Sequence, residues 1–123
     1  MEVKIFMNVY DKAHELSRTI KEGPEYSKLL AAKEVLDADE SVKNMVRDFF
    51  KSQVELERAT MMGEEQNPET VEKIKNLREL INLNTAARDF LISHMTLMQL
   101  AGDIYKIIGE SFSDLAEMDI FKE

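Results

Sequence analysis

The chain holds two histidines and no cysteine, so the first chemistry to weigh is histidine paired with carboxylate. His14 follows Asp11 by three residues on one helical face, the spacing that half of a carboxylate–histidine metal pair would use. Di-iron bundles need that motif twice, with further glutamates projecting inward, and here it occurs once. His94 has Phe90, Leu91, Leu97 and Met98 around it at helical spacing, which suits a core or interface histidine bonded to a neighbour better than a ligand or a base. A pH-dependent interface is the mildest functional reading of it. No Ser-His-Asp set and no Gly-rich phosphate loop is present, and the carboxylates are scattered over polar faces instead of gathered on apolar ones. Without cysteine the chain alone can build no disulfide, no thiolate nucleophile, and no cysteine-ligated zinc or iron–sulfur cluster. The expectation is a protein without enzyme activity, with no catalytic, cofactor-binding or metal-binding residues.

His94 belongs to the element around which the rest must be organised, a long helix over about 84–112. Ala87, Phe90, His94, Leu97, Ala101, Ile104 and Ile108 alternate spacings of three and four, an a/d seam. Beside it Leu91, Met95, Met98, Gly102, Tyr105, Gly109 and Phe112 repeat the rhythm one step round, so the apolar surface is wider than one partner helix would cover. Such a helix is expected to be nearly surrounded by protein, part of it supplied by a second copy. Gly102 and Gly109 lie one heptad apart on the second seam, and each costs about 1 kcal/mol relative to alanine in a helix interior. They predict a close helix–helix crossing, within the fold or across a homodimer. Met95 and Met98 on that seam, with Met61 and Met62 ending another helix, are side chains that fill irregular gaps or adapt to more than one partner.

The remaining periodicity gives four more helices. The first runs from about Ile5 to Lys21 with Phe6, Val9, Ala13, Leu16 and Ile20 on one face. Gly23 suits a helix C-terminus and Pro24 a first turn, so a tight corner leads into a short second helix to Asp37 that buries Tyr26, Leu29, Leu30 and Leu36. Asp39 caps a long third helix over about 39–62, with Val42, Val46, Phe49, Gln53, Leu56 and Thr60 as its stripe. Its outer stripe Lys43, Arg47, Lys51 and Arg58 is interrupted by Asp48, Glu55 and Glu57, the pattern of a solvated, salt-bridged face. Asn67 and Pro68 open a fourth helix with Val71, Ile74, Leu77, Leu80 and Ile81 inward, ending at Asn82 or Leu83 where Asn84 caps the last. The fold class is all-α, about five helices in a bundle-like arrangement, two long and three shorter. The third and fourth are expected as a hairpin folded over the fifth, with the first and second on the other flank. Residues 1–123 read as one helical domain, with 113–123 a flexible or docking tail.

Composition bounds the partners. Of 123 residues 44% are hydrophobic and 33% charged, with a net charge of −8; one core is affordable, and the acidity disfavours direct contact with nucleic acid or anionic lipid. The N-terminus turns polar too soon for a signal peptide, and no apolar run approaches the roughly 20 residues that span a bilayer, so the expected location is cytoplasmic.

The segments VYDKAHELSRTIKEGPEY, LDADESVKNMVRDF followed by KSQVELERATMMGE, and LNTAARDFLISHMTLMQLAGDIYKIIGE together resemble the YlbF/YmcA family of small helical proteins from Gram-positive bacteria, over about Ile5 to Phe112. The resemblance implies an oligomeric, cytoplasmic, non-enzymatic protein. The best-known members act as regulators in a complex that influences RNA maturation by ribonuclease Y, and so competence, sporulation and biofilm formation. Members of that complex are associated with iron–sulfur clusters held by cysteines. This cysteine-free chain is more similar to the YheA-type relatives, and no cluster-binding residue carries over.

The expected function is a regulator or adaptor, a homodimer or higher homo-oligomer built on the third and fifth helices, with protein partners that include paralogues or RNA-processing factors. Its expected interface is Phe49, Leu56, Leu91, Met95, Met98, Gly102, Tyr105, Gly109 and Phe112. The alternative is a small holdase-like chaperone using its long apolar helices as arms.

Overall fold

In a computed structural model, which describes residues 8–122, helices α1 (Val9–Glu22), α2 (Pro24–Asp37), α3 (Glu40–Met61), α4 (Pro68–Asn82) and α5 (Thr85–Glu110) follow one another. The two long helices have 22 and 26 residues and the others 14 or 15, the expected division. Short polar side chains set the starts. Asp39 accepts from the Ser41 and Val42 amides, Asn67 from Glu69, and Asn84 from Ala87, satisfying amides that a helix N-terminus leaves without partners. Asn8 does the same for α1 by accepting from Asp11, so that helix begins at Val9; the expected first-turn residues Ile5 and Phe6 lie outside the described range.

Two glycines behave differently. Gly63 takes φ +73 just past α3, and the amides of Gly63 and Glu64 bond back to Thr60 and Ala59. That pair of bonds closes the helix, and the left-handed residue it needs is least costly as glycine. Gly23 was expected as a similar stop, yet its φ of −79 is extended. One residue there both follows α1 and caps α2, and an extended backbone with Pro24 in the first turn turns the chain without a left-handed step.

The core is small. Leu36 from α2, Val46 and Phe49 from α3, Ile74 and Ile81 from α4, and Ala87 at the start of α5 form one buried cluster, with Val42, Met45, Phe50, Leu56, Leu77, Phe90 and Leu91 packed against it. Helices α3 and α4 form the expected hairpin, but α5 packs chiefly along α2, and α1 rests mainly on α2. The expected arrangement is corrected accordingly: α1 does not cover the flank of α5. Leu30 and Leu80, assigned inward from periodicity, are about half exposed, because the stripe on each helix is wider than the neighbour covering it.

The α2–α3 corner is fastened by charge. Asp37 accepts from Lys33 at 2.7 Å and pairs with Lys43 at 3.0 Å, so a member of the presumed outer basic stripe ties two helices together. These two ammonium groups, Lys33 first, hold the Asp37 carboxyl below its ordinary value of 3.8. A carboxylate with a lowered pKa in the folded state stabilises at pH above its unfolded value and loses that contribution as pH falls through the folded one. Asp37→Asn should therefore unfold at a slightly lower temperature than wild type at neutral pH. The gap should close at pH well below 3.8, as thermal melts across pH would show.

Candidate interaction surface

The surface is built on α5, which changes character along its length. Its first half is anchored: Ala87 is fully buried and Leu97 nearly so. The Phe50 ring meets Phe49 at 5.7 Å, Phe90 at 6.4 Å and His94 at 4.9 Å, each edge-on. His94 is half-buried in this cluster. Its neighbours are aromatic rings, and no hydrogen bond to its ring is present among the described residues, which corrects the expectation of a bonded histidine. Between Gly102 and Phe112 only Ile104 is even half-buried. Tyr105 is 74% exposed, Phe112 59% and Ile108 46%, so the second half of α5 is an apolar rod with protein on one side only.

Of the expected interface, Phe49 must be removed. It is 2% exposed in the chain's own core, with the Arg78 guanidinium of α4 5.7 Å above its ring. Leu56 and Leu91 are half-buried against the same core. Met95, Met98, Tyr105 and Phe112 are exposed, and with Gly102 and Gly109 they form one seam along α5. Among the described residues, added β-carbons at those two glycines would meet nothing within 4 Å, so no close crossing is made there between described helices.

The opposite surprise is α1. Its face Val9, Ala13, Leu16 and Ile20 was read as packed, yet no residue of α1 is buried and Val9 is 81% exposed. Across from it stand Ile104 and Ile108, and between them opens a groove of about 790 Å³. Periodicity marks such faces but says nothing about which neighbour covers them. The only signal was quantitative: more apolar stripe than one chain of this size can bury.

Chemistry of other kinds finds little footing. Among the described residues no group of three or more His, Asp or Glu is placed to hold a metal ion, and His14 lies exposed on α1. Among the same residues no helix is long and apolar enough to cross a membrane.

The family model for control of competence regulator ComK, YlbF/YmcA, matches residues 9–113. The chain belongs to the YlbF/YmcA family. Among its relatives within the YlbF/YmcA family is a UPF0342 protein of Caldicellulosiruptor saccharolyticus, 40% identical over 111 residues covering 90% of this chain and 92% of that one. A UPF0342 protein of Desulfitobacterium hafniense is 34% identical over 109 residues, 89% of this chain and 88% of the relative. Among solved structures, a chain of the crystal structure of Bacillus subtilis RicA in complex with RicF superposes with a TM-score of 0.55 at 20% identity, covering 89% of this chain and 94% of that one. At that identity the likeness is one of fold, and the helical arrangement of this YlbF/YmcA member is shared with it.

Proposed function

We propose that this protein is a non-catalytic cytoplasmic regulator of the YlbF/YmcA type that works by protein–protein contact and self-associates over the exposed half of α5. The observation that supports this reading most is unburied surface. The chain exposes 9990 Å², against roughly 6,800 Å² for a folded monomer of its mass. Even at about 1.45 Å² per dalton, the limit for an extended chain, the eight residues outside the described range supply only about 1,300 Å² of that surplus. The remainder matches what one subunit contributes to a homodimer interface of roughly 2,000–5,000 Å² in total.

The solved structure that shares this fold is of a complex, RicA with RicF, and the family description concerns control of a competence regulator. By that kinship the pathway proposed here is control of RNA processing, and through it competence, sporulation or biofilm formation, with paralogues or RNA-processing factors as partners. The net charge of −8 favours reaching RNA through such a partner over binding it directly.

Purification of the tagged protein from its own cells tests the reading. One or two stoichiometric partners are expected. A broad spectrum of substoichiometric clients, together with suppression of aggregation of unrelated proteins, would overturn it in favour of a holdase, the function to which exposed Met61, Met62, Met95 and Met98 would otherwise lend themselves.

A further inference from the structure

The groove between α1 and the second half of α5 has a particular chemistry. Its floor is aliphatic and aromatic, including Leu16, Ile20, Ile104 and Ile108, and among the described residues the charged ones lining it are Lys12 and Lys21. In a chain carrying 24 acidic residues against 16 basic ones, an apolar groove edged by lysine alone selects an occupant that is apolar and acidic.

The chain itself carries such a segment. Beyond α5, Ser113–Glu117 and Asp119–Phe121 form two short 3₁₀ turns. Leu115, Met118 and Phe121 recur every third residue, with Met118 extended between the two turns, and Asp114, Glu117 and Asp119 lie beside them in the sequence. None of these apolar side chains is buried: Leu115 is 43% exposed, Met118 47%, Phe121 64% and Ile120 82%. The charges are weakly committed. Lys12 reaches Glu15 only at 4.0 Å and Glu117 reaches Lys122 at 3.8 Å, all on well-exposed side chains. Lengths are comparable as well. From Val9 to Lys21 the α1 edge runs about 18 Å at 1.5 Å per residue, and the eight steps from Ser113 to Phe121 run about 16 Å at 2.0 Å each, slightly more where Met118 is extended between the two turns.

We propose that the groove receives the tail Ser113–Phe121 of a second copy. The tail's own groove is a poor destination, since Ser111 and Phe112 already line its end and the chain would have to reverse there at once. Exchange between two copies gives each groove one tail and closes the assembly with twofold symmetry. This presupposes the self-association proposed above and adds where its surfaces meet.

The cysteine-free sequence makes the test direct. Full-length Ala13→Cys and Met118→Cys chains, distinguished by tag size, are mixed, equilibrated and mildly oxidised. The mixed disulfide should exceed either self-disulfide several-fold. Lys12→Glu with Lys21→Glu in the first chain should lower its yield about tenfold, as two rim ion pairs are each worth up to about fivefold. Asp114→Lys with Glu117→Lys in the second chain should restore it. Closure of the doubly substituted Ala13→Cys/Met118→Cys chain at monomer mass would overturn the exchange in favour of the chain's own tail. A native dimer giving no mixed disulfide would overturn it in favour of another occupant while leaving self-association intact. A monomeric mass of the unsubstituted protein by light scattering would overturn the self-association itself.

Discussion

Phe49→Ala should lower the thermal unfolding midpoint by roughly 10–20 °C, the consequence of losing about 3–5 kcal/mol in a domain of this size. Phe49 is 2% exposed at the meeting point of α2, α3, α4 and the start of α5, among Leu36, Val46, Ile74, Ile81 and Ala87. Its ring is contacted edge-on by Phe50 at 5.7 Å and capped by Arg78 at 5.7 Å, so truncation removes apolar contacts, leaves a cavity and strips the guanidinium of its aromatic partner. With native stabilities near 5–15 kcal/mol, a core this small has little reserve. Leu30→Ala is the control: at 50% exposure it should cost under about 1 kcal/mol. If Phe49→Ala melted like Leu30→Ala, the residue would face outward, as the sequence-based interface had it.

Gly102→Leu should move two observables in opposite directions. Among the described residues an added β-carbon at Gly102 meets nothing within 4 Å, and leucine is a better helix former than glycine by about 0.5–1 kcal/mol. At high dilution the variant should therefore melt a few degrees above wild type. At the proposed α5 contact the same side chain would stand between surfaces that glycine lets approach closely, and association should weaken by tenfold or more, the factor set by about 1.4 kcal/mol. Because association stabilises only the folded state, the wild-type midpoint should rise with protein concentration while that of the variant stays nearly flat. A variant that melts above wild type at every concentration and keeps the wild-type native mass would remove Gly102 from the contact.

Local signals were legible in the sequence where one residue decides one bond. Asp39, Asn67 and Asn84 cap the helices they were assigned to, and Val46, Ile74, Ile81, Ala87 and Leu97 are buried on the faces that their spacing marked. What escaped depends on the surroundings of a face. The stripe of α1 is as regular as that of α3, yet one lies open and the other holds the core, because a helix period specifies a direction and not a neighbour. Phe49 was placed at an interface for the converse reason. Gly102 and Gly109 were read as marking a close helix crossing within the fold or across a homodimer, and among the described residues no such crossing is made.

The proposed completion of the exposed half of α5 by another copy can be read from the mass of the purified protein in solution. Light scattering across a concentration series should give twice the 14.2 kDa chain mass at micromolar concentrations and above, dissociating on dilution. A mass of 14.2 kDa at every concentration would rule out this self-association and leave the apolar surface to a partner of a different kind.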